Sequence, residues 1–421
     1  MRPALWLLRF WYLWPFAFLT ASCRDSAPAL EPGLPVQAVT GVAFREIGEA
    51  TSGNPWITDL KIADFDGDGL KDVLVCEGRE GILTLIRQVS LDTFEEETIS
   101  DGLEGVACVG IVDWEGDGDQ DILLACMGIV TPSVGNIGKV FALENLGEGR
   151  FEKRLILEEA PRANYVGVGD LDGDGDLDLS VGHFGYHEGE LRWLENRGEW
   201  AFTSHLLLDL PGVIHAPCVD IDGDSALDIV ALVSQDSEEV YCFYNDGKGH
   251  FESRILFGSA NRDYGSSGLT VDDLDQDGDL DIIYTNGDGF DYATPGARPW
   301  HGVQWLENLG ERKFVYHRIG DFSGAYSPVI CDYDGDGRMD VVVSSGFNDW
   351  SDASAVSMGV FLNMGERDFR LQALATHPTH ILVVDADDLN GDGKVELVSG
   401  GFYFYPPFGD VKRIGLWRQL N

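Results

Sequence analysis

A nine-residue phrase, D-x-D-G-D-G-x-x-D, recurs seven times along this chain, beginning at Asp64, Asp113, Asp170, Asp220, Asp273, Asp332 and Asp388. The copies read DFDGDGLKD, DWEGDGDQD, DLDGDGDLD, DIDGDSALD, DLDQDGDLD, DYDGDGRMD and DLNGDGKVE. A single aspartate- and glycine-rich phrase is an ordinary solvated turn. Seven copies, about 54 residues apart on average, imply seven units of one kind. That period is near one propeller blade and longer than most helical repeats. Each phrase also lies between short apolar runs, as Tyr165-Val166-Gly167-Val168 precedes Asp170 and Leu179-Ser180-Val181 follows Asp178.

The spacing has a chemistry. Oxygens at positions 1, 3, 5 and 9, with a backbone carbonyl at 7 and a glycine at 6 for the sharp turn, can wrap a hard cation. The donor sets are Asp64, Asp66, Asp68 and Asp72; Asp113, Glu115, Asp117 and Asp121; Asp170, Asp172, Asp174 and Asp178; and Asp220, Asp222, Asp224 and Asp228. The last three are Asp273, Asp275, Asp277 and Asp281; Asp332, Asp334, Asp336 and Asp340; and Asp388, Asn390, Asp392 and Glu396. Carboxylates this close repel by roughly 4 kcal/mol per pair at about 4 Å with an effective dielectric near 20, so the loops are hard to close without a cation. All-oxygen donors point to Ca2+, up to seven ions in a structural role. Ser225 replaces the turn glycine in the fourth copy and Asn390 removes a charge from the seventh, so those two sites are expected to bind most weakly. An EF-hand is excluded, because position 12 is apolar (Val75, Leu124, Val181) and strand-like runs flank the loops.

Between loops the grammar is that of strands. In the third unit a first strand over Ala163–Gly169 precedes the loop, a second spans 177–182, a third 191–196, and a fourth Phe202–Leu208. The third-strand phrase returns as FALENLG at Phe141 and QWLENLG at Gln304, and phenylalanine opens the fourth strand again at Phe94, Phe151, Phe251, Phe314 and Phe369. Short apolar or alternating runs bounded by Gly and Asn predict four antiparallel strands per unit and no helix. Closing the units into a ring protects the sheet edges, so the expected fold is all-β, a seven-bladed β-propeller over residues 41–421. The last unit offers only three strands, at Ile381–Asp387, 395–401 and 413–418, whereas Phe44-Arg45-Glu46-Ile47 resembles a fourth-strand phrase. An N-terminal strand is therefore expected to close the ring by pairing with residues 414–417.

The chain has 72 acidic against 29 basic residues, a formal charge of −43, which argues against nucleic acid or an anionic membrane surface as partner. Twenty-seven of the acidic groups occupy the loop positions above, and seven calcium ions would bring the charge to −29. Residues 1–23 read as an export signal: Arg2 and Arg9, an apolar run through Trp14, Phe16, Phe18 and Leu19, then small residues. Leu19-Thr20-Ala21-Ser22-Cys23 resembles a bacterial lipobox with its leucine one place early, which makes Cys23 the candidate lipidation site. Residues 24–40, with Pro28, Pro32 and Pro35 and no apolar period, read as a flexible tether. The protein is expected outside the cytoplasm, anchored to a membrane by lipid alone or else periplasmic or secreted, and monomeric.

The repeated loop between apolar strands, with the W-L-E-N-x-G and Phe phrases between copies, resembles the FG-GAP/VCBS-type repeat of bacterial surface proteins. The loop is also similar to the calcium cages of integrin alpha-subunit propellers. The resemblance implies a seven-bladed propeller whose calcium sites bind without catalysing, and it implies no particular substrate.

If the strands alternate in direction, the acidic loops and the third-to-fourth turns share one face, and the second-to-third loops and interblade connections share the other. The second face varies from blade to blade and is rich in aromatics and histidine, as a binding surface on a rigid repeat should be. The ligand, an extracellular carbohydrate or protein, is expected at the channel mouth there, stacked on Tyr186, Tyr292, Trp300 or Trp350 and hydrogen-bonded by His183, His215, Asp291 or Asp349. Two alternatives remain. His183 and His187 with Asp291 or Asp349 could serve a polysaccharide lyase or hydrolase, or the protein could be a passive scaffold or adhesin. Finally, Cys108 and Cys126 each lie five residues outside their loop, so an unbroken hairpin would set them opposite each other within reach of a disulfide.

Overall fold

Each acidic loop joins two antiparallel strands, and each pair grows by a third and a fourth strand into one twisted sheet. The structure, a computed structural model, describes residues 41–50, 53–185, 187–235, 237–290, 292, 294, 296–407 and 410–420. Blade one comprises Ile57–Ala63, Asp72–Glu77, Ile82–Ser90 and Thr93–Ser100. Blade two comprises Val106–Val112, Asp121–Cys126, Gly138–Asn145 and Phe151–Ala160. In blade three the strands are Ala163–Gly169, Asp178–His183, Glu190–Asn196 and Phe202–Leu208, within one residue of the sequence expectation. Blade four has its innermost strand split into Val213–His215 and Cys218–Val219, because Pro217 cannot donate to the ladder. Blade five opens with Ser266–Asp272, blade six with Ala325–Cys331 and blade seven with Ile381–Asp387. The result is a seven-bladed all-β propeller with no helix among the described residues.

The seven first strands line the axis, each against the next, and Ile381–Asp387 returns to lie against Ile57–Ala63. Hydrophobic burial explains the arrangement. Every residue of Asp72–Glu77, Asp121–Cys126, Asp178–His183 and Asp281–Asn286 is buried. A second strand is sandwiched between two neighbouring blades, so both of its faces are apolar. Val73 and Val75 join the core shared with blade seven, whereas Leu74 and Cys76 join the core shared with blade two. Seven such clusters fill the seven interblade spaces, and the hydrophobic drive for folding is spread evenly around the ring.

Closure is as the sequence predicts. Val42–Glu46 pairs antiparallel with Ile414–Gln419, with Phe44 opposite Trp417, Arg45 opposite Leu416 and Glu46 opposite Gly415. The Phe44 and Trp417 rings lie 4.6 Å apart, and the Ile47 amide donates to the Ile414 carbonyl at 3.2 Å. Arg413 and Glu96, 2.8 Å apart, bind blade seven to blade one across the seam.

The hairpin geometry expected for the cysteines does not hold. Every first strand carries a β-bulge near its start, in blade two between Val106 and Cys108. The slip sets Cys108 opposite Ala125 and Cys126 opposite Val106. A one-residue shift turns a side chain to the other face. Cys108 accordingly lies in the core shared with blade three, Cys126 in the core shared with blade one, and both are free thiols.

Candidate functional site

The acidic loops share one geometry, built from backbone amides donating to carboxylates. The position-1 aspartate accepts from the position-6 amide, as Gly69 to Asp64 (3.1 Å), Gly175 to Asp170 (3.1 Å) and Gly393 to Asp388 (2.8 Å). The position-9 carboxylate is buried and used on both oxygens. In Asp178 one oxygen accepts from the Leu171 amide at 3.2 Å and the other from the Asn196 amide at 2.7 Å, tying the loop to the third strand. The same pair of bonds recurs at Asp72, Asp121, Asp228, Asp281 and Asp340. These bonds place the acidic loop and the third-to-fourth turn on one face.

The turn demands more than the position-6 glycine. Positions 4 and 6 both adopt left-handed backbone, φ +74° at Gly173 and +95° at Gly175. Ser225 at position 6 (φ +77°) and Gln276 at position 4 (φ +61°) take up the same conformation despite the steric cost to a side chain, so the fourth loop keeps its shape.

Carboxylate oxygens converge within 4.8 Å in five loops: Asp64, Asp66 and Asp68; Asp170, Asp172 and Asp178; Asp220, Asp222 and Asp228; Asp273, Asp275 and Asp281; and Asp332, Asp334 and Asp336. Three of them are partly neutralised from within. Arg87 lies 3.1 Å from Asp66, Arg312 lies 2.6 Å from Asp222, and Arg338 pairs with Asp336. No arginine or lysine forms an ion pair with the clusters of blades three and five among the described residues, and a buried oxygen of Asp64 has no hydrogen-bond partner. In the seventh loop the Asn390 amide donates to Glu396. Converging all-oxygen donors, uncompensated charge and an orphaned oxygen fit a hard divalent cation better than any other group.

Burial also shifts the acids themselves. It pushes the carboxyls of Asp72, Asp178 and Asp340 up to about 6, and those of Asp228 and Asp281 up to about 7. A raised folded-state value means that the folded chain holds these protons more tightly than the unfolded chain. The associated stability is full below the ordinary carboxylate range near 4 and is lost as pH rises through 6 to 7. In excess chelator the melting temperature should therefore fall between pH 5 and pH 8. In millimolar calcium it should not, because a cation held by the loops would take the place of the protons. Differential scanning calorimetry across that range checks the sign, and a chelated protein that grows more stable towards pH 8 would contradict it.

The loops also couple neighbouring blades. The Asn245 side chain of blade four donates to the Leu171 carbonyl in the loop of blade three at 2.7 Å, and Asn308 of blade five donates to the Ile221 carbonyl in the loop of blade four at 2.8 Å. Trp200 of blade three stacks on Trp114 in the loop of blade two, 4.9 Å between centroids.

On the opposite face the candidate ligand residues divide. His183 ends a second strand that is buried on both faces. Its Nδ1 lies 2.8 Å from the Pro161 carbonyl, and no surface of it is exposed. Trp350 folds back against His380, 5.1 Å between centroids, and is likewise buried. Both are therefore removed from a ligand's reach, contrary to expectation. Tyr292 and Trp300 remain half-exposed. The Tyr292 hydroxyl (2.7 Å) and the Trp300 indole N–H (2.8 Å) both donate to the Asp263 carbonyl, and the Arg298 guanidinium sits 4.0 Å from the Tyr292 ring centre. Asp349 is exposed and accepts from the Ser351 amide at 3.1 Å. His215 lies apart from these, on the wall of the central channel. Tyr186, Asp291, Cys23, the export signal and the tether lie outside the described residues.

The channel was expected, but the polar lining of its interior was not foreseen. A cavity of about 780 Å³ runs along the axis, from Phe184, Asp288 and Phe290 at the end away from the acidic loops to Val168, Asp272 and Ala386 at the other. The aromatic rings of Phe290, Phe347, Phe402 and Phe404 pack together at the first end, with Phe290 and Phe404 4.5 Å apart, so part of that face's aromatic wealth caps the ring. Charged groups in the channel were legible in principle, since Asp59 and Lys61 interrupt the otherwise apolar strand Ile57–Ala63.

Fold and loops together define a seven-bladed propeller of acidic-loop repeats. The FG-GAP-like repeat model matches residues 64–124, 113–181, 170–231 and 220–284. Each match opens on the first aspartate of one loop and ends in the second strand of the next blade. Together they span more than half of the chain, which belongs to the FG-GAP-like repeat family. No curated protein matches it. Among solved structures the chain is similar to an Agrocybe aegerita lectin described as specifically recognising non-reducing terminal N-acetylglucosamine. The identity is 19%, over 76% of this chain and 81% of that one, with a TM-score of 0.49.

Proposed function

We propose that the protein is an exported recognition module in which calcium ions held by the acidic loops stiffen the ring and the opposite face binds an extracellular carbohydrate or protein. The residues of positions 1, 3, 5 and 9, with Asp170, Asp172, Asp174 and Asp178 as the pattern, would hold the ion, and Cys23 would carry the lipid anchor. Bound calcium supplies positive charge to groups that otherwise repel one another. The observation that carries the recognition reading is the platform on blade five. There Tyr292 and Trp300, both half-exposed, share the Asp263 carbonyl, so their polar edges are fixed, and the Arg298 guanidinium lies over the Tyr292 ring. Aromatic rings held rigid by their polar atoms lose little entropy on stacking against a sugar ring or an apolar side chain.

The test is an array of glycans and peptides probed with the protein in millimolar calcium, followed by titration of the best ligand. Replacing Trp300 with Ala is expected to weaken binding by about 2 kcal/mol, roughly 30-fold, and to leave the calcium-dependent melting temperature unchanged. Binding that survives Trp300→Ala but is lost on altering the exposed turns of the acidic face would reverse the assignment of the faces.

A further inference from the structure

Polar side chains reach the channel wall from several blades. Blade seven contributes Asp385, blade one Lys61 and Asp59, blade three Tyr165 and blade four His215. Blade five adds Asp272 and blade six Tyr326, while the rest of these strands and that of blade two present mainly glycine, small hydroxyls and aliphatic side chains to the cavity.

The two carboxylates are fixed by the ring itself. Asp59 accepts from the amides of Leu60 and of Val109 in blade two, each at 2.9 Å. Asp385 accepts from the Ala386 amide at 3.0 Å and from the Ile62 amide of blade one at 2.9 Å. That last bond places Asp385 beside Lys61. Each Asp385 oxygen has one of its two acceptor sites filled and one left, whereas Asp59, which also accepts from the Cys108 thiol, keeps one acceptor site in all.

Lys61 is exposed to the cavity and forms no hydrogen bond or ion pair among the described residues. The Asp59 carboxylate holds its ammonium protonated well above the usual range, so its three donors are permanent. The Tyr165 hydroxyl in blade three and the Tyr326 hydroxyl in blade six, both half-buried on the cavity lining, also have no hydrogen-bond partner among the described residues, and the Tyr165 ring lies 5.4 Å from that of His215. Burial pulls the imidazole of His215 down to about 4, so it is neutral at physiological pH.

The electrostatic balance selects among ligands. Four carboxylates (Asp59, Asp272, Asp288, Asp385) face two cations (Lys61, Arg162) along the channel, so a small anion meets net negative charge. Free donors beside free acceptors match a neutral molecule that offers both from adjacent atoms, as neighbouring sugar hydroxyls do. The tyrosine rings supply apolar faces, and the volume lies within the range of small-molecule sites.

We infer that the central channel is a second binding site, for a neutral mono- or disaccharide, with Lys61 as hydroxyl donor, Asp59 and Asp385 as hydroxyl acceptors and Tyr165 as the stacking wall. This site is separate from the blade-five platform, and neither depends on the other.

Isothermal titration of the full-length protein in millimolar calcium, with glucose, galactose, mannose, maltose, cellobiose and lactose, tests it. Gluconate and glucosamine serve as the charged comparisons. At least one neutral sugar should bind one to one. Lys61→Met should weaken that binding tenfold or more with an unchanged melting temperature, Tyr165→Ala should weaken it similarly, and Trp300→Ala should leave it unaltered. Should Lys61→Met fold poorly, Lys61→Gln, which keeps a donor at a shorter reach, is expected to bind more weakly than the natural protein. No binding by any neutral sugar, binding indifferent to both Lys61 variants, or tighter binding of gluconate or glucosamine than of glucose would overturn the inference. Binding lost in Trp300→Ala alone would also overturn it, while leaving the recognition reading intact.

Discussion

Removing calcium is expected to lower the melting temperature of the ring by on the order of 10 °C. The magnitude follows from mass action. An extracellular site with a dissociation constant of about 10⁻⁴ M, in about 1 mM calcium, adds about 1.4 kcal/mol to the folded state, so five converging loops add about 7 kcal/mol. Unfolding entropy scales with chain length, and for a domain of this size that free energy corresponds to roughly 9 °C. The loops of blades three and five should contribute most, because among the described residues no guanidinium competes there as Arg87, Arg312 and Arg338 do elsewhere. Since Asn245 and Asn308 bond the loop of the preceding blade, loosening one loop also loosens an interblade contact. A melt in excess chelator at pH 7.5 that coincides with the melt in calcium would contradict this.

The second large effect is at the seam. Deleting residues 1–48 removes the outer strand of blade seven, the contact of Phe44 with Trp417 and the buried side chain of Ile47. Several ladder hydrogen bonds at about 1 kcal/mol each, with the apolar burial, put the loss at about 5 kcal/mol or more. It also leaves Ile414–Gln419 as an open edge, prone to pair with another chain. Deleting residues 1–40 removes none of these contacts. The longer truncation should melt many degrees lower and aggregate on concentration, and equal stability of the two truncations would refute closure by this strand.

Much of the fold was legible because the repeat supplies its own register. Seven loops at one spacing set the blade count, and the apolar runs beside them set the first and second strands. The pairing of the N-terminal strand with residues 414–417 followed from recognising an orphaned fourth-strand phrase, and the structure adds its register, Phe44 opposite Trp417. What local pattern did not reveal was the β-bulge in every first strand, which in blade two separates Cys108 from Cys126. The rim was hardest to read for a related reason. An aromatic or histidine on a loop looks the same in sequence whether it faces solvent, as Trp300 partly does, or turns inward, as Trp350 and His183 do. Position-9 aspartates were identified as cation donors, but their second task, binding the loop to the third strand, became visible only from the Asn196 and Asn245 amides. Asp59 and Lys61 passed unremarked in their strand, and only the closed ring shows Asp385 brought beside them.

Calcium binding by the seven acidic loops is measured directly by equilibrium dialysis of the purified protein against radioactive calcium up to about 5 mM at pH 7.5. The prediction is five to seven ions per chain with dissociation constants of about 10⁻⁴ to 10⁻³ M, falling by one for each loop whose position-1 aspartate is replaced by alanine. Binding of one ion or none, or a stoichiometry indifferent to Asp170→Ala and Asp273→Ala, would contradict it.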